Sequence, residues 1–131
     1  MLRTKSIKHQ KSPEDGLCVS IMSRHTLQDG VTPDPAITPD RYDQWWPELA
    51  PPLKLIGSYY KRGLSWSSFQ DGYREHLTTE SAAQAVSKLI DLALDSTVTV
   101  NCVEDTPERC HRRLLAEYCL ILEPSLIVHI E

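Results

Sequence analysis

Residues 97–130 read TVTVNCVEDTPERCHRRLLAEYCLILEPSLIVHI, and the reading of this stretch decides the fold. Thr97 to Val103 is β-branched and alternating, as suits a strand on a pleated, half-buried surface. Thr106 is a good N-cap and Pro107 a good first helical residue. A helix is therefore expected over 107–122, with Leu114, Leu115, Tyr118 and Leu122 on one face. Pro124 stops it. Leu126 to Ile130 is a short apolar run that reads as a buried strand, in which His129 is expected to be a satisfied core histidine. Strand, helix and strand in this order form a βαβ crossover, which requires parallel strands and a right-handed connection.

Working outward, Ala82, Val86, Leu89, Ile90 and Ala93 form the buried face of a helix over roughly 80–94, with Thr79 as its cap. Trp66, Phe69, Tyr73 and Leu77 recur at +3, +4 and +4, an amphipathic stripe on a helix that begins at Ser65. Leu53 to Arg62 is a further helix, with Leu53, Ile56 and Tyr60 at helical spacing and Gly63 as its stop. Six of the nine prolines, Pro33, Pro35, Pro39, Pro47, Pro51 and Pro52, lie between residues 26 and 52. This region is expected to be a Pro-rich loop interrupted by a short helix over 40–46 that holds Tyr42, Trp45 and Trp46. Leu17 to Met22 reads as a buried strand, Ser12 to Gly16 as a turn, and Arg3 to Lys8 as a short strand. The expected architecture is a single α/β domain over residues 1–131, a three-layer arrangement around a mainly parallel sheet of four or five strands with a C-terminal βαβ unit.

Composition bounds the function. A net charge of -4 and a pI near 5.7 argue against a general nucleic-acid coat, but leave room for a local basic pocket. No stretch approaches the ~20 apolar residues that span a bilayer, and MLRTKSIKHQ has no apolar signal-peptide core. The expected compartment is the cytoplasm, where Cys18, Cys102, Cys110 and Cys119 would stay reduced. No membrane contact and no cofactor are expected.

CVEDTPERCHRR, residues 102–113, sits where a strand turns into a helix, the usual ligand position of an open α/β sheet. Free amides at a helix start favour an anion, and a guanidinium matches phosphate or carboxylate. Arg112 is the arginine expected to bind; Arg109 and Arg113 read as solvated, Arg113 within reach of Glu117 at i+4. A thiol beside His and Arg at a helix start has a lowered pKa, so Cys110 is a candidate nucleophile. The preferred alternative is that Cys110 begins the stripe continued by Leu114 and Tyr118 and is a packed core thiol. His111 is an acid/base candidate, and Glu104 would orient it or accept a proton; Asp105 reads as a helix-dipole partner. Cys102, Cys110 and His111 carry atoms that zinc accepts, with Cys18 a conceivable fourth. The spacing departs from a zinc knuckle, and adjacent helical residues diverge by ~100°, so no metal is expected. Parallel strands would bring Arg24 and His25 near Cys102. Trp45, Trp46, Tyr59 and Tyr60 either stack on a base or cover core edges.

CVEDTPERCHRRLLAEY resembles the signature of the proteins grouped as domain of unknown function 488: a strand, an acid, a proline, then Cys-His-Arg and a helix. Cys102, Glu104, Pro107, Cys110, His111 and Arg112 fall at that family's spacing. SPEDG at 12–16, WPELAPP at 46–52 and SWSSFQDGYREHL at 65–77 are similar to its N-terminal half. One departure is Ser23, which precedes Arg24 where the family usually has an aspartate. The resemblance implies a compact α/β fold and a site at the signature; it implies no substrate.

Three functions are open on this reading. The first is an enzyme acting on a phosphate-bearing small molecule or nucleic-acid component, with Cys110, His111 and Glu104 as chemical groups and Arg24, Arg112 and Cys102 lining the anion pocket. The second is a phosphate or nucleotide binding module without catalysis. The third is a Cys-His-Arg loop that only locks the fold.

Overall fold

The computed structural model describes Met1–Glu131. Five strands, β1 (Leu2–Ser6), β2 (Leu17–Ser20), β3 (Gln44–Trp45), β4 (Val98–Cys102) and β5 (Val128–His129), form one sheet in the order β3-β2-β4-β1-β5. Every pairing is parallel. Four helices, α1 (Leu53–Arg62), α2 (Trp66–Leu77), α3 (Glu80–Asp95) and α4 (His111–Leu122), complete the α/β domain. The expected βαβ unit is present as β4, α4 and β5, with β1 inserted between its two strands.

Strand alternation sorts the two sheet faces. Val98, Val100, Leu2 and Val19 meet Leu89, Leu114, Leu115, Phe69, Tyr73 and Leu77 in one core of 19 buried residues. The other face carries Lys5 and Thr99 and is covered by a thin polar layer, residues 7–16. There Asp15 pairs with Lys5 at 2.8 Å, and its carbonyl accepts the Thr99 hydroxyl at 2.6 Å. Burial alone would push the Asp15 carboxyl up. The Lys5 ammonium and the Ser12 amide outweigh it and hold the carboxyl below its usual range. Helices, sheet and this polar loop make up a three-layer α/β arrangement.

The helices follow the periodic signal. Ser65 caps α2 by accepting the Ser68 N–H at 3.1 Å, and Phe69, Tyr73 and Leu77 are buried. α1 ends on Gly63 in the left-handed region at φ 73°. It lies close on α2 because Gly72 has no side chain: a Cβ there would come within 2.8 Å of Leu55.

Four local expectations are corrected. The segment 40–46 is not a helix but a 3-10 turn, Pro39–Arg41, followed by β3; the Asp43 and Trp46 amides donate to the Cys18 and Ser20 carbonyls of β2 instead of to a helical turn. α4 starts at His111, not Pro107. Thr106 spends its hydroxyl on Glu108 at 2.9 Å, so Cys110, in extended conformation, precedes the first helical residue instead. β5 is only two residues long and lies at the sheet edge. His129 is accordingly exposed and reaches Glu131 at 3.0 Å, rather than sitting in the core.

Candidate functional site

β4 is the middle strand, and the chain leaves β2 and β4 in opposite directions. β2 leads outward to its neighbour β3, whereas β4 leads through α4 to β5 at the other edge. The carboxyl ends of β2 and β4 therefore flank a crevice, the place where open α/β sheets hold ligands. A pocket of about 480 Å³ opens there, within the usual range for small-molecule sites; Arg24 after β2 and Cys102 and Glu104 after β4 line it.

Cys102 closes β4, and its sulfur lies 3.4 Å from His111 Nδ1. His111 Nε2 is 2.8 Å from the Ile21 carbonyl. A carbonyl can only accept, so Nε2 carries the proton and Nδ1 of the neutral ring is free to accept from the Cys102 thiol. The edge of Tyr73 packs on the His111 ring at 5.4 Å and 72°. This is a thiol with an oriented base, the arrangement that activates a nucleophile.

The electrostatics distinguish the two neighbouring thiols. Burial pushes Cys102 up, but a hydrogen bond from Cys110, the Glu104 and Val103 amides and the Arg112 charge outweigh it, so its net direction is down. Burial raises Cys110, and the charge on Cys102 raises it further. Of the two, Cys102 is therefore the thiol that ionises more readily, and Cys110 the one held in its protonated form. The remaining cysteines are isolated: burial lifts Cys18 to about 11 and Cys119 to about 12.

Arg112 is fully buried. It donates from Nη1 to the Glu104 carbonyl at 2.8 Å and from Nε to the Glu131 carbonyl at 3.0 Å. No acidic side chain forms an ion pair with it, and its Nη2 has no hydrogen-bond partner. It does not line the pocket. In place of the anion contact expected of it, Arg112 ties the loop to Glu131, which follows β5, and its charge lowers the Cys102 thiol. The cations at the pocket are Arg24, as expected, with Arg109, which read as solvated, and Lys61, which the sequence did not single out. None of the three is engaged by an acidic side chain. The only carboxylate in the lining, Glu104, receives the Tyr60 hydroxyl. That contact and burial raise the Tyr60 phenol, burial being the larger cause.

Of the residues singled out from the sequence, the fold brings Cys102, His111, Glu104 and Arg24 together around the pocket, with Cys110 buried close to Cys102 but outside the lining. His25 turns away, to Ser20 at 2.6 Å. Trp46 is buried in the core, and Trp45 donates its indole N–H to the Met22 carbonyl at 2.6 Å. Of the expected aromatics Tyr60 lines the pocket, and Trp66 and Phe69 complete the aromatic wall. Tyr60, one of the aromatics singled out from the sequence, belongs to the Leu53, Ile56, Tyr60 stripe of a helix without a buried residue, and Ile56 and Tyr60 turn to the pocket.

Because Cys110 is extended rather than helical, ligating atoms of Cys102, Cys110 and His111 lie within 4.8 Å of one another, closer than adjacent helical positions would allow. The group has three members, whereas a closed structural zinc site uses four ligands. Cys18 is not among them.

Comparison with curated proteins and with solved structures finds no match. A family model described as "Active DUF488-N3 subclade" matches residues 2–121, a span that holds the whole pocket and all of the Cys-His-Arg signature. The chain belongs to the DUF488 family.

Proposed function

We propose that the protein is a cysteine-dependent enzyme acting on a phosphate-bearing small molecule or nucleic-acid component, with Cys102 as its nucleophile. The observation that carries this reading is the Cys102–His111 contact at the floor of a pocket with three unpaired cations. Arg24, Lys61 and Arg109 would receive the anionic group, and Tyr60 or Trp66 would cover its apolar part. His111 takes the Cys102 proton at Nδ1. The thiolate then forms a bond to the electrophilic centre while the bond to the leaving group breaks. That group departs with its electron pair and takes the proton from His111; water later releases the product and restores the thiol. Cys110 donates to the thiolate, and Glu104 positions Tyr60. The matched subclade's description as active agrees with this reading.

The test pairs binding with turnover. Inorganic phosphate and mononucleotides should raise the Tm of the wild type, because a ligand of the folded state stabilises it by mass action. The shift should shrink in Arg24→Ala and Lys61→Ala. Cys102→Ser should keep the shift and lose hydrolysis of p-nitrophenyl phosphate. A shift without any wild-type turnover would leave a binding module. No shift and no turnover would refute the reading.

The geometry of Arg112 favours a structural role for that residue. Its hydrogen bonds go to the Glu104 and Glu131 carbonyls, which is how a loop lock would act. The lock and the chemistry are compatible, since the charge of the locked guanidinium also lowers the Cys102 thiol.

A further inference from the structure

We infer that Cys102 and Cys110 close an intramolecular disulfide after a hydroperoxide oxidises Cys102, so that Cys110 is the resolving thiol of the site. The inference rests on the reading of Cys102 as a reactive thiolate and adds a modification of that same site. Three observations carry it. The first is proximity: the two sulfurs belong to a group whose atoms lie within 4.8 Å. A disulfide is ~2.05 Å long, so the sulfurs need to approach by no more than about 3 Å.

The second is which side can move. Cys102 ends the central strand, held between β1 and β2. Cys110 stands outside α4 with extended backbone, and precedes the helix on a loop whose residues 105, 106, 108 and 109 are exposed. Its own N–H is engaged only with the Pro107 carbonyl, at 3.2 Å. The loop can carry Cys110 to the strand end without unpairing the sheet. The third is access. Cys102 lines the pocket, so a small peroxide reaches it, while Cys110 is buried outside the lining and meets only what Cys102 becomes.

The chemistry balances. The Cys102 thiolate attacks one peroxide oxygen; an S–O bond forms, the O–O bond breaks, and the departing oxygen takes a proton from His111. Sulfur is oxidised and the peroxide reduced. The Cys110 sulfur then attacks the sulfenic sulfur: the S–S bond forms, the S–O bond breaks, and hydroxide leaves with the Cys110 proton as water. A dithiol reverses the last state. The disulfide removes the nucleophile while protecting it from irreversible oxidation.

The test treats the reduced full chain with hydrogen peroxide at near-stoichiometric amounts, blocks remaining thiols with maleimide and maps peptides by mass. The chain has four free cysteines. Two should become unreactive, with a protein about 2 Da lighter, a Cys102–Cys110 cross-linked peptide, and full reversal by dithiothreitol. Cys110→Ser should halt at a Cys102 sulfenic acid trapped by dimedone. Wild-type Cys102 that proceeds to the sulfinic acid without the cross-link overturns the disulfide but leaves the reactive thiolate standing. A Cys102 that neither oxidises nor alkylates overturns both.

Discussion

Two histidines hold a hydroxyl or thiol at neighbouring strand ends, and their surroundings make them different. His111 meets Cys102 at 3.4 Å after β4, and His25 meets Ser20 at 2.6 Å after β2. Each looks like a nucleophile with its base. His25, however, is closed in by Tyr42 and Trp45, with ring centroids 4.7 and 4.5 Å away. Its other nitrogen faces the Tyr42 hydroxyl at 3.3 Å, and burial lowers its pKa. Ser20 is fully buried and lines no part of the pocket. The Cys102 pair opens on the cavity, and the neighbouring amides and the buried Arg112 charge lower its thiol. A hydrogen-bonded pair alone therefore marks a tie in the fold; the pair with access and a supported charge marks a site.

The largest effect should come from Cys102. In the wild type at pH 7, iodoacetamide should alkylate Cys102 at least about tenfold faster than an ordinary thiol, which is only a few per cent ionised there; Cys102→Ser should abolish this fast phase. Next is Arg112→Met. It leaves the Glu104 and Glu131 carbonyls without their donor and removes the positive charge that lowers the thiol. Roughly 2–4 kcal/mol of stability should be lost in urea unfolding, and the Cys102 pKa should rise. His111→Ala should slow alkylation about tenfold at pH 7, with the gap narrowing as pH rises and the thiol ionises unaided. Arg24→Ala or Lys61→Ala should weaken phosphate binding by about 1 kcal/mol, less at high salt, with little change in stability. The smallest effect belongs to the sealed pair: Ser20→Ala should cost no more than about 1 kcal/mol and leave alkylation unchanged. A Ser20→Ala protein that lost thiol reactivity would erase the distinction between the two sites.

The wild type also has a pH signature. The Cys102 pKa lies below its unfolded value, so the linked stability is present above the unfolded pKa and is lost as pH falls through the folded one. Asp15 follows the same sign in the acid range. Stability should thus fall in two separate steps on acidification, and Cys102→Ser should remove only the upper one.

Much of this was legible in the chain. Alternation in TVTVNC and the helical stripes of α2 and α3 report burial directly, because strand and helix periods map onto faces. The crevice followed from parallel strands, which placed Arg24 with Cys102. The roles of neighbouring residues were less legible because they depend on distant backbone. Arg112 looked like a ligand residue, but the Glu131 carbonyl, brought in by β5, turns it inward. Cys110 looked like the activated thiol under a helix start at Pro107. With the start at His111, the amides of Val103 and Glu104 serve Cys102 instead. Tyr60 joins the site through a contact with Glu104, 44 residues away, for which no local pattern exists.

The most direct test is the rate of iodoacetamide alkylation as a function of pH, with the modified residue identified by peptide mass. The account predicts that Cys102 reacts first and reaches half its maximal rate clearly below the ~8.5 of a free thiol, while Cys18, Cys110 and Cys119 stay unmodified in the folded protein. Reaction first at Cys110, or a Cys102 profile at or above the free-thiol value, would contradict it.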